Sequence, residues 1–141
     1  LSGSGFLTDG ILQAVRNEAQ GLLTTLHYAD GLPVKRDQEF RRRYAVQFKM
    51  QPDVYAVQGY DTGLLLAQAL EAVKGEIGDR KGLINAMEGA KIDSPRGTWT
   101  MSKAHNPIQD IYLRRVEGEE NKYVSVAWKA LEDPARGCRM G

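Results

Sequence analysis

Cysteine is almost missing from this chain: Cys138 is the one example in 141 residues. A single thiol closes no disulfide within the chain, and zinc or redox motifs built from cysteine pairs are excluded by count. Histidine is scarce as well, with only His27 and His105. Neither stands beside a serine or cysteine in a nucleophile elbow, and G-x-S-x-G, H-E-x-x-H and phosphate-loop patterns are absent. The residues therefore offer no catalytic set and no metal site, and the chain reads as a non-enzyme. Charge of one sign is lacking too. Nineteen Lys+Arg face eighteen Asp+Glu, with no long block of either, which removes the basic footprint of a nucleic-acid binder. The longest apolar run, near 64–67, is far shorter than the ~20 residues that span a bilayer. No basic-then-apolar stretch opens the chain, so no targeting segment is read from it.

What is present is one domain's worth of residues, enough to bury a real core. The opening LSGSGFLTD reads as a strand end and a glycine turn with nothing before it, as in a fragment. Thr8 or Asp9 can cap a helix to about Gln20, since Ile11, Val15 and Ala19 recur at four-residue spacing and Gly21 stops it. LLTTLHY reads as a buried strand, and ADGLPVKRD, with its Gly-x-Pro punctuation, as an exposed connection. In the next helix Phe40, Tyr44 and Phe48 share a face, leaving Arg41, Arg42 and Arg43 as a solvated side. Residues 53–74 carry aliphatic side chains on most faces, which predicts a helix packed on several sides and the most buried element of all. Gly75 and Gly78 break it, and RKGLINAMEGA adds a short amphipathic helix through Leu83, Ile84 and Met87.

The last third changes period. Ile111 and Leu113 alternate around Tyr112, and Val124, Val126 and Trp128 alternate with Ser125 and Ala127, so the ending is all strand. Pro95-Arg96-Gly97 turns into the first strand and His105-Asn106-Pro107 into the second. An imidazole in such a turn is expected to bond nearby backbone, and the same is expected of His27. The glycines of GSG at 3–5 supply positive φ or, in the right context, cradle an anion.

Taken in order, VYAVQGYDTGLLLAQALEAV, DSPRGTWTMSKAHNPIQDIYLRRV and DPARGC resemble the C-terminal part of the leucine/isoleucine/valine-type periplasmic binding proteins, the solute receptors of ABC importers. The resemblance covers nearly the whole chain; its most specific pieces are GYD at 59–61, the SPRG turn and the QDIYLRRV strand. It implies a partial two-lobe, type I periplasmic-binding-protein-like α/β fold, with helices packed on mostly parallel sheets. It also implies three parts: 1–30 as the end of the C-terminal lobe, 31–110 completing the N-terminal lobe, and 111–141 as hinge-crossing strands and tail. Because the partner strands of both lobes lie upstream, apolar surface is expected to stand uncovered, hidden by self-association or by the rest of the protein.

By the same resemblance, Ser4, Gly5 and Phe6 face the ligand from one lobe and Tyr60 from the other, with no cofactor. Members that take α-amino acids commonly carry an acid in the first loop, and the matching position here is Gly5. A buried ammonium without a counter-charge is costly, so an aromatic or other organic acid fits as well as leucine. The implied function is the substrate-binding component of an ABC transporter for branched-chain amino acids or related carboxylated or aromatic solutes. Its partners are a small ligand and a membrane permease, in the periplasm. The competing reading is a ligand-sensing regulatory domain of the same fold, such as an amide sensor. Cys138 is either a spare thiol or, by resemblance, the partner of an upstream cysteine.

Overall fold

The computed structural model describes residues 9–137. Its first element, α1 (Asp9–Val15), tightens into a 3-10 turn over Arg16–Ala19 and stops at Gly21, whose φ of +77° suits glycine. The face it buries is carried by Leu12 and Ala19 against Val116. Ile11, expected to lead that face, is exposed. Strand β1 (Leu23–Leu26) follows. The segment after it is not the exposed connection that its glycine and proline imply: Tyr28, Ala29, Asp30 and Leu32 are all buried.

α2 (Lys35–Phe48) ends on Lys49 in the left-handed region, and α3 (Val54–Ala72) starts where the Asp53 carboxylate accepts the Ala56 N–H at 2.8 Å. α4 (Arg80–Glu88) is capped the same way by Asp79. The remaining elements are β2 (Lys91–Ile92), β3 (Trp99–Met101), β4 (Pro107–Glu117) and β5 (Glu120–Leu131). The α/β mixture is the expected one, but the named strands pair antiparallel, in the order β1-β4-β3-β2 with β5 also on β4. The reason lies in the connections. β4 and β5 are joined only by Gly118 and Glu119, and strands linked so tightly must run in opposite directions. A single isolated bridge, Asp30 to Lys122, is parallel. Strand β4 is the hub: it takes β1 along 112–115, β3 along 107–108 and β5 along 109–117. Its fully buried positions are Tyr112, Arg114 and Val116, one step out of phase with Ile111 and Leu113.

Two further apolar clusters hold α2 and α3 to this sheet. Tyr28, Ala29, Leu32, Phe40, Val54, Val57 and Tyr112 join the segment 27–34, α2, α3 and β4, while Ala90, Ile92 and Trp99 receive Leu64 and Leu65 of α3. α3 therefore has two covered sides and a bare third, and it is not the fully buried helix its composition predicts. Trp128 also stays exposed on the outer stretch of β5.

Candidate functional site

Phe40, Tyr44 and Phe48 recur every four residues, so their rings stand in a row on one side of α2. Ring centroids are 5.7 Å apart for Phe40 and Tyr44 and 4.5 Å for Tyr44 and Phe48. Tyr60, one turn beyond Ala56 on α3, closes the row with its ring 4.9 Å from Phe40. The Arg36 guanidinium lies 6.0 Å from the Tyr60 centroid and donates to its hydroxyl at 3.2 Å. Together with Glu39, Arg43 and Gln47 these residues bound an open groove of about 430 Å3. The two arginines are loosely engaged: Arg36 meets Glu39 and Asp93 at 3.8 and 3.7 Å, and Arg43 meets Glu39 at 3.9 Å. Long, partly exposed ion pairs of this kind contribute little, so the guanidiniums can be recruited by an incoming carboxylate. Flat rings beside them suit a planar, apolar body. Of the site residues expected from sequence, Tyr60 falls here, while Ser4, Gly5 and Phe6 lie outside the described residues, as does Cys138.

On the other side of α3, the GYD and SPRG motifs meet in one buried node. The Arg96 Nε donates to Asp61 Oδ2 at 2.6 Å, the Trp99 indole N–H reaches the same oxygen at 3.0 Å, and the guanidinium lies 5.3 Å from the Trp99 ring. Tyr112 then donates its hydroxyl to the Arg96 carbonyl at 2.6 Å. These residues fasten α3 to the turn, to β3 and to β4, which explains the motif spacing without a ligand. The recess beside them, about 320 Å3, is edged by His27, Gln58, Thr62 and Gln109. His27 is pushed down to about 4 by burial, helped by the charges of Arg96 and Arg114. Its ring is neutral at pH 7, and its Nε2 lies 3.1 Å from the Gln58 amide nitrogen. His105 departs from expectation: with φ of 57° it aims its Nε2 at the Glu88 carboxylate, 2.7 Å away on α4, rather than at nearby backbone.

A third network was not legible as one. Arg41, expected on a solvated face, donates to Asp30 at 2.7 Å and to the Tyr28 hydroxyl at 3.1 Å, and reaches Glu120 at 3.5 Å. Tyr28 donates onward to Asp37 at 2.9 Å. Asp30 also accepts the Asn121 N–H at 2.8 Å, so one arginine clasps the segment after β1, α2 and the start of β5. Burial raises the Asp37 carboxyl to about 6 and lifts the Tyr28 phenol well above its usual range, with the Asp37 charge adding to the latter. The available signal was the i, i+4 spacing of Asp37 and Arg41 beside Phe40. Arg42 and Arg43 do stand in solvent.

Among the described residues no group of three His, Cys, Asp or Glu side chains is placed to hold a metal, and no helix is long and apolar enough to cross a membrane.

The periplasmic binding protein family profile matches residues 1–122. An ABC-transporter solute-binding protein of R. palustris, solved with benzoate, is 42% identical with a TM-score of 0.89, over 97% of this chain and 38% of that one. A solute-binding protein from Rhodopseudomonas palustris BisB5, solved with 3,4-dihydroxy benzoic acid, is 32% identical with a TM-score of 0.79, over 92% of this chain and 36% of that one. A third, from Rhodopseudomonas palustris HaA2 with p-hydroxybenzoic acid, is 25% identical with a TM-score of 0.80, over 93% and 37% respectively. No curated protein matches the chain. The chain thus spans less than two fifths of the length of these solved relatives.

Proposed function

Because the chain belongs to the periplasmic binding protein family, we propose that the complete polypeptide is the solute-binding component of an ABC importer for small aromatic carboxylates. The observation that carries this reading is the 42% identity, over 97% of this chain, to a solute-binding protein whose structure holds benzoate. The 32% identical relative holds a dihydroxylated benzoic acid, the same chemical class. The groove around Tyr60 supports it from this chain's own residues, since a row of rings beside loosely paired arginines matches a flat acid. Gly5 stands where an amino-acid receptor would carry an acid, and a buried ammonium without a counter-charge is costly. That tilts the class away from leucine.

In this reading 1–30 ends the C-terminal lobe, 31–110 completes the N-terminal lobe and 111–141 supplies hinge strands and tail. Ser4, Gly5 and Phe6 face the ligand across the cleft from Tyr60. Closure of the lobes buries the solute, and a permease recognises the closed form at the periplasmic face of the membrane.

Calorimetric titration of the complete polypeptide with benzoate, 4-hydroxybenzoate and leucine is the test. Both benzoates are expected to bind saturably and at least about tenfold tighter than leucine, a difference of about 1.4 kcal/mol. Replacing Phe6→Ala and Tyr60→Ala together should weaken benzoate by roughly tenfold or more through lost ring contact. Leucine binding without benzoate binding would move the ligand class to branched-chain amino acids. No saturable binding of any of the three would overturn the receptor reading.

A further inference from the structure

Arg36, Glu39 and Arg43 stand at three- and four-residue spacing on α2, so their side chains share one edge of the aromatic groove. The glutamate lies between the two cations. Its Oε2 is 3.8 Å from Arg36 Nη1 and its Oε1 is 3.9 Å from Arg43 Nη1, one oxygen turned to each guanidinium. A bound organic acid would make the same arrangement at the same place, and here the carboxylate belongs to the protein. Both gaps are longer than a hydrogen bond and the Glu39 side chain is 47% exposed, so it is weakly held and free to swing into water. The surroundings are firmer. Phe40 is buried with its ring 4.9 Å from that of Tyr60, and the Tyr60 hydroxyl accepts from Arg36 at 3.2 Å. Asp93, the other acid near Arg36, lies 3.7 Å from its Nε and does not bound the groove.

We propose that Glu39 is a specificity-determining residue of the groove: its carboxylate holds the anion position between Arg36 and Arg43 in the absence of solute, and a solute acid binds by displacing it. The proposal rests on the reading of this groove as the solute site. An anionic solute must break both pairs of Glu39 and then share the groove with the displaced charge, so its affinity is lowered by the two effects together. A neutral analogue of the same shape leaves Glu39 on its arginines and meets neither cost. Glu39 thereby sets how strongly the groove prefers an acid over its uncharged amide.

Calorimetric titration of the complete polypeptide with benzoate and with benzamide, in the parent and in Glu39→Gln, tests this. Glutamine keeps the length of the side chain and loses its charge. The variant should bind benzoate about fivefold tighter than the parent, the order expected when exposed ion pairs no longer have to be broken. Benzamide, which has the same shape and no charge, should gain nothing. Glu71→Gln makes the same change of charge at an exposed position near the end of α3, outside the groove, and should leave benzoate within about twofold of the parent. Benzoate binding that is unchanged or weakened in Glu39→Gln, with the parent binding saturably, overturns the proposal while the receptor reading stands. Equal tightening of benzamide overturns it as well, since shape would then account for the gain, and so does an equal gain from Glu71→Gln, since overall charge would. A parent that binds no benzoate removes the solute-site reading and this proposal with it.

Discussion

His27, just after β1, and Asp37, in the first turn of α2, have pKa values shifted in opposite directions. Burial raises the Asp37 carboxyl from 3.8 to about 6, so between those values the folded chain binds more protons there than the unfolded chain, and its stability falls as pH rises. Burial and the charges of Arg96 and Arg114 lower His27 from 6.5 to about 4, so over that window the folded chain binds fewer protons, and its stability rises with pH. The two slopes oppose one another and largely cancel between pH 4 and 6. Asp37→Asn keeps an acceptor for the Tyr28 hydroxyl while removing the titration, and should make urea stability rise more steeply with pH than in the parent. His27→Gln should do the reverse. Each difference from the parent, accumulated between pH 4 and 6.5, should be about 2 kcal/mol. Superimposable pH profiles for parent and both variants would show that these groups are solvated.

At the level of elements, the decisive joint is the one between α3 and the β3–β4 hairpin. Asp61 and Arg96 are 4% and 5% exposed at their side chains, and removing one partner of so buried a pair leaves the other charge uncompensated. Asp61→Asn is expected to cost about 3–5 kcal/mol of unfolding free energy and to change the near-ultraviolet signal of Trp99, whose indole N–H shares the same oxygen. A cost below about 1 kcal/mol, the value of an exposed pair, would mean that the joint is held by apolar packing alone. By contrast His105 and Glu88 are half-exposed at 2.7 Å, and their contact ties the hairpin turn to α4 only from outside.

For the molecule as a whole, the incomplete enclosure has a measurable consequence. Ligand sites gain affinity by burying most of the ligand surface, and the groove around Tyr60 is open along one side. The 141-residue chain should therefore bind benzoate at least about 100-fold more weakly than the complete polypeptide, because only the enclosed ligand sheds its water on all sides. Calorimetry on the two forms under one buffer decides it. Equal affinities would place the whole site in the groove between α2 and α3 and would remove any need for a second lobe in binding.

The sequence by itself determined the elements that local chemistry sets. Glycine at the end of α1, the ring row on α2, the start of α3 near Asp53 and the strands of the last third all follow from neighbours within a few positions; the caps on Asp53 and Asp79 and the Gly118 turn are equally local but were not read from the sequence. The family, too, was legible in the order of GYD, SPRG and QDIYLRRV. Tertiary structure alone decided what depends on partners far along the chain. Arg41 looks like its two exposed neighbours until Asp30 and Glu120 come within reach, and a Gly-x-Pro linker looks exposed until β5 passes beside it. Tyr60 could be named from the resemblance, but its setting of Arg36 and Phe40 required the packing of α2 on α3. The same holds for the bare side of α3: periodicity announces an apolar face, whereas only the arrangement of surrounding elements determines whether that face is covered.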